Sequence, residues 1–237
     1  YEIPLRLVGS EMCIRDRTTM EAMFYFCRRL TTIDLTPLNT SNVTSMNEMF
    51  RGCSGMTSLD LTHLDTNNVT DISGMFHGCS GLTNLDLTPL DNGLVTDMSR
   101  MFYNCKRLAN LNLTPLSTSN VTNMSSMFSE CSGLTSLDLT HLDTQKVTNM
   151  SGMFYNCSNL TSLNLASLDT SKVSNMKYMF SYCTALTTLS LGEKFAFVGS
   201  DYYLPKGIWY SSNGTAYTSD GTTCTIPNNK ADTYTRR

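Results

Sequence analysis

Charge is scarce in this 237-residue chain: Asp, Glu, Lys and Arg make up 16% of it and leave a net charge of −3. No run of like charge stands out. That excludes the basic footprint needed to bind nucleic acid and a basic amphipathic membrane helix. No apolar run approaches the ~20 residues of a transmembrane helix, so a soluble chain without a membrane span is expected. Tryptophan occurs once and histidine three times. His63 and His141 share a slot three repeats apart, ~14 Å by strand spacing, which is too far for a common site. No cysteine pair has the short spacing of a metal knuckle. No Ser–His–acid set, carboxylate pair or glycine-rich phosphate loop stands out either. No catalytic residue, cofactor or metal is assigned, and the chain is not expected to be an enzyme.

Against that background, fifteen Met and nine Cys are unexpectedly many, and their positions account for them. Cys27, Cys53, Cys79, Cys105, Cys131, Cys157 and Cys183 follow one another at 26 residues, as do seven Met-Phe pairs from Met23-Phe24 to Met179-Phe180. A fixed period in this range marks a stacked repeat. In residues 43–68, Val43, Met46, Met49, Phe50 and Cys53 stand at helical intervals and predict a short helix. Gly52 and Gly55 then fit its exit. Met56, Leu59 and Leu61 follow as L-x-x-L-x-L, a short strand with leucines inward. One such unit cannot cover its own apolar face, and stacking does. The expected fold is an α/β repeat solenoid of leucine-rich-repeat type. Seven 26-residue coils would place a parallel sheet on one face and short helices on the other.

The Cys and Met columns invite a metal or disulfide reading. Buried free Cys acts as a small hydrophobe and Met fills core gaps, so a packed core comes first, ahead of occasional disulfides and of metal. A slot holding Tyr25, Arg51, His77, Tyr103 and a serine within one chain reads as solvent-facing.

The segment M-F-x-x-C-x-x-L-T-x-L-D-L-T, followed by L-D-T-S-N-V-T, resembles the BspA-type leucine-rich repeats of bacterial surface proteins over residues 18–191. Leu64 and its equivalents stand where such repeats usually carry an asparagine ladder, so a straighter stack than a horseshoe is possible. The resemblance implies an extracellular or cell-surface location and a role in attachment or host contact. Residues 1–17 have no repeat pattern, and LVGSEMCIRDR resembles translated sequencing-adapter read-through, so the leader is set aside as an artefact. A genuine N-terminal cap is the alternative. Residues 192–237 lose the repeat slots and hold the only Trp, which suggests a β-rich module capping the last coil. The chain reads as a fragment of a longer surface protein.

Function is then expected on the outward face of the strands, where three polar columns should line up. The candidate partner-binding residues are Ser58, Asp60, Thr62, Asn84, Asp86, Thr88, Asn110, Asn112, Thr114, Ser136, Asp138 and Thr140. Aspartates stacked in adjacent strands repel, a cost that a cation or basic partner would relieve. Short polar residues also simply keep an exposed sheet face soluble. The leading expectation is a non-enzymatic, adhesion-type module for a protein or glycan partner. The alternatives are a passive spacer in a longer surface protein and binding to a crystalline surface through the threonines.

Overall fold

The computed structural model describes residues 17–237; apart from Arg17, the leader assigned above lies outside the described residues. The 26-residue register is plain in the backbone. Thr19, Ser45, Asp71, Asp97, Asn123, Asn149 and Asn175 are each bridged in parallel to the next. Between bridges the chain is mostly turns.

The expected α/β solenoid, with helices on one face, is not what forms. No helix occurs among the described residues, and the strands number five in one mixed sheet. The Met-Phe segment shows why. Met49 N–H donates to Met46 O (3.2 Å) and Cys53 N–H to Phe50 O (3.2 Å), closing two turns in succession. The third residue of each has positive φ: Glu48 at 53° and Gly52 at 75°. This is the pattern of a type II turn. It recurs in each repeat: Ala22, Gly74, Arg100, Ser126, Gly152 and Tyr178 fill the first slot, while Phe26, Gly78, Asn104, Glu130, Asn156 and Tyr182 fill the second. Two left-handed residues four apart cannot belong to a right-handed helix. The freed N–H groups instead reach the next coil, as in Glu48 to Ser73 O (2.8 Å), Phe50 to Met75 O (3.0 Å) and Gly52 to His77 O (2.7 Å).

Among the described residues, regular strands are confined to the span 162–236. Strand β1 (Ser162–Leu165) pairs in parallel with β2 (Thr188–Leu191), with Leu163 opposite Leu189 and Leu165 opposite Leu191. Strands β3 (Gly207–Tyr210), β4 (Ala216–Ser219) and β5 (Asp232–Arg236) follow. The sheet order is β1-β2-β5-β3-β4, and β5 lies antiparallel on β2. Pairing therefore runs across residue 192 without a break.

The core is made of columns. Val43, Met46, Met49, Phe50, Cys53, Met56 and their equivalents in the later coils are buried, while Met23, Cys27 and Leu30 of the first coil are half-buried. The phenylalanines stack from Phe24 to Phe180 with ring centres 5.3 to 6.1 Å apart, and Phe197 closes the pile edge-on at 6.4 Å. Buried Trp209 donates its indole N–H to Pro205 O at 3.1 Å.

Candidate functional site

The twelve candidate residues of the polar columns are all exposed. They occupy matching slots of successive coils, but of the twelve only Asp138 is bridged, to Asn164. The aspartates have partners of their own. One oxygen of Asp60 accepts both the N–H (2.9 Å) and the hydroxyl (2.7 Å) of Thr62. Asp86 and Thr88 do the same, as do Asp138 and Thr140. Asn112 takes the Thr114 N–H at 3.0 Å. Such local bonds compete with strand pairing for backbone donors. They also favour the charged form. Asp60 and Asp86 are held below the usual carboxylate range, first by the backbone N–H of the following threonine and then by its hydroxyl. For Asp138 the hydroxyl comes first. Repulsion from Asp60 is the last and smallest influence on Asp86, so the expected cost of stacking these charges is slight.

Behind the columns runs a polar ladder that the sequence pattern did not disclose. Thr40, Thr66, Asn92, Thr118, Thr144 and Thr170 occupy one slot and are buried. Thr144 Oγ1 donates to Asp169 O (2.9 Å) and accepts the Asp169 N–H (2.8 Å). Thr40 and Thr118 bridge to the next coil identically, and Asn92 does so with its amide. Thr66 is the exception. Its hydroxyl has no partner, and the coil it faces carries the variant turn Asp91-Asn92-Gly93-Leu94. The clue was a hydroxyl or amide recurring two residues after the leucine anchor.

The cysteine column lies in the core. Each thiol from Cys53 to Cys183 donates to the carbonyl of a phenylalanine one coil back, as in Cys105 to Phe76 O (3.2 Å) and Cys131 to Phe102 O (3.0 Å). Burial pushes these thiols far up, to about 12 for Cys131, and leaves them poor nucleophiles. The eight described cysteines are all free.

The slot read as solvent-facing is largely half-buried. It forms a ridge with the two left-handed slots of the turns. Arg51, His77, Tyr103 and Tyr155 are intermediate in exposure, Ser129 and Ser181 are buried, and Tyr25 is 45% exposed. Burial, followed by the Arg51 charge, drives His77 down to about 4, and its ring lies 4.6 Å from that of Tyr103. Tyr103 donates its hydroxyl to Glu130 Oε1 at 2.7 Å. That bond, with burial second, raises the phenol to about 12.

Coils of constant length locked by side-chain ladders, with columns of short polar groups and a ridge of turns bearing tyrosines outward, define a stacked repeat protein. Residues 14–112 and 82–192 match the model of a family described as a Mycoplasma protein of unknown function, DUF285. The chain belongs to that family. A search of curated proteins returned no match. Among the described residues no helix is long and apolar enough to cross a membrane.

Proposed function

We propose that this chain is a non-enzymatic binding module of BspA-like character. In this reading it works at the cell surface or outside the cell and presents its repeats to a protein or glycan partner. The observation that carries the reading is the exposure of all twelve column residues at matching slots. Repetition multiplies a weak contact into avidity when the partner is itself repetitive. The carboxylates stay ionised because threonine donors hold them. The columns therefore suit a partner offering cations or amide and hydroxyl donors at successive coil spacings. Fold alone does not name that partner, and the resemblance to surface repeats supports the location.

The test is binding of the immobilised chain to an array of glycans and extracellular-matrix proteins. The variant Asp60→Ala/Asp86→Ala is expected to lose at least about tenfold in affinity, roughly 1.4 kcal/mol. Undiminished binding by a folded double variant would remove the function from this face. Silence across the array would favour a spacer.

A further inference from the structure

We propose that the turn ridge carries a carbohydrate site, a cleft between Tyr103, Tyr155 and Tyr178 that takes a neutral sugar ring of a glycan chain. This goes beyond the polar columns in place and narrows the ligand to a neutral glycan, and it rests on the reading that the chain binds a partner.

Tyrosine placement is the first observation. Every tyrosine between residues 25 and 182 (Tyr25, Tyr103, Tyr155, Tyr178 and Tyr182) falls in one of three ridge slots. Tyr178 and Tyr182 are 49% and 63% exposed, more than a tyrosine needs for stability. The rings are also braced. Tyr103 is tied to Glu130, Tyr155 meets Tyr182 edge-on at 5.4 Å, and Tyr178 stacks on Tyr203 at 5.3 Å. Rings already held lose little freedom on binding.

Spacing is the second. Tyr103 and Tyr155 share a slot two coils apart, with small Ser129 between them. Two coils are about 10 Å at strand spacing. Ring contacts span about 4.5 to 7 Å between centroids, so the gap accepts one ring and is too narrow for two. The cleft, open to solvent, holds about 380 Å³, within the roughly 300–1,000 Å³ of small-molecule sites. Its floor is kept open by Gly152 at φ 61°, where a Cβ would stand 3.1 Å from Ser126 Oγ and 3.7 Å from Tyr155 Cβ.

Chemistry selects the ligand. The lining offers phenol rings and the hydroxyls of Ser126, Ser129 and Ser151, and none of its residues is charged. Hydroxyls both donate and accept, and aromatic faces accept apolar C–H surface. A pyranose presents both, hydroxyls at its rim and C–H groups on its face. A nucleotide would bring phosphate to a lining without Lys or Arg. Tyr178 stacks on Tyr203, which lines a second, open cavity of about 400 Å³ with Tyr182, Thr184, Lys206 and Arg236, so a glycan chain that continued there would meet a further tyrosine and two cations.

The experiment is titration calorimetry of the full chain with neutral hexose and N-acetylhexosamine oligosaccharides. Wild type is expected to bind at least one of them. Tyr155→Ala should weaken that binding about fivefold to tenfold, in line with an aromatic contact. Ser126→Arg should abolish it by filling the cleft. The latter variant should fold, because Arg100 occupies the same slot with the same positive φ one coil earlier. Gln145→Ala, an exposed change outside both the cleft and the polar columns, should bind the sugar as wild type does. Failure of every oligosaccharide to bind overturns the proposal. So does binding that survives in folded Ser126→Arg, or that is lost in Gln145→Ala. Failure of every oligosaccharide would leave the polar-column reading standing for a protein partner, whereas sugar binding lost only in the ridge variants would support the cleft independently of that reading.

Discussion

Thr66 and Thr144 occupy the same slot in different coils and are equally out of reach of water, yet their hydroxyls do opposite things. Thr144 satisfies one donor and one acceptor of Asp169, while Thr66 Oγ1 is buried without a partner. Thr144→Val strands two backbone groups, each worth about 1–3 kcal/mol when unsatisfied and buried, so a loss of about 2–4 kcal/mol is expected in urea unfolding. Thr66→Val removes an orphan at almost constant volume and should be neutral or stabilising by about 1 kcal/mol. Equal losses in the two variants would show that the slot counts only as packing. His77 supplies a second prediction. Its folded pKa, about 4, lies below the ordinary 6.5, with burial and Arg51 opposing the proton and Glu48 and Glu130 favouring it. A depressed base makes the folded state bind fewer protons than the unfolded one. Its contribution to stability is therefore complete above pH 6.5 and falls as pH drops toward 4. Partial exposure keeps the loss smaller than the shift alone implies. His77→Tyr, the residue found at positions 103 and 155, should flatten that window in unfolding midpoints measured against pH. The decline below the carboxylate range should persist, because Asp34, Asp60, Asp86 and Asp138 are all lowered.

At the scale of the element, the double turn decides the fold. Intervals of three, three, one and three put Val43, Met46, Met49, Phe50 and Cys53 on one side in a helix. Two consecutive four-residue turns bury the same set. Periodicity could not separate the two. The local signal lay in the glycines and asparagines at Gly52, Gly74, Gly78, Asn104, Gly152 and Asn156, the residues that most readily accept positive φ. It was masked by Glu48, Arg100, Ser126 and Tyr178, which take the same conformation at a cost of roughly 1–2 kcal/mol each. Gly78 tests this, since a Cβ there would meet only Gly52 backbone at 3.5 Å, an ordinary contact. Gly78→Asn should cost little, whereas Gly78→Val should lose about 1–2 kcal/mol through backbone strain. The check is the difference between their chemical unfolding curves. Equal stability of the two would mean that φ at this slot is not what shapes the turn.

Across the whole molecule, stability comes from neighbour on neighbour. Each coil lends its phenylalanine, cysteine and threonine to the next, and the terminal segment completes the last one. Strand β5 covers the free side of β2, Phe197 covers Phe180, and the Thr170 hydroxyl finds Ala196. A chain truncated after Gly192 would expose that strand edge and the end of the aromatic pile. Open edges and uncapped repeats associate. The truncated protein should therefore self-associate and unfold at a lower temperature, as read by light scattering and thermal denaturation. A monomer of unchanged stability would show that the last repeat caps itself.

The repeat length, the identity of the core columns and the outward position of the Ser/Asn, Asp and Thr slots were legible from residue order alone. Each depends only on a residue type recurring every 26 positions and on the demand that apolar side chains leave water. The absence of helices, the threonine ladder and the gathering of tyrosines around a cleft belong to the tertiary structure. Backbone donors in the turns had two sets of acceptors, within the coil and on the next one, and only the stacked neighbour decided between them. Thr144 and Tyr155 look like any polar residue in sequence. The bonds of Thr144 arise because the coils lie one strand spacing apart, which sets its hydroxyl against the backbone of the next coil, and the same stacking brings Tyr103, Tyr155 and Tyr178 to one cleft.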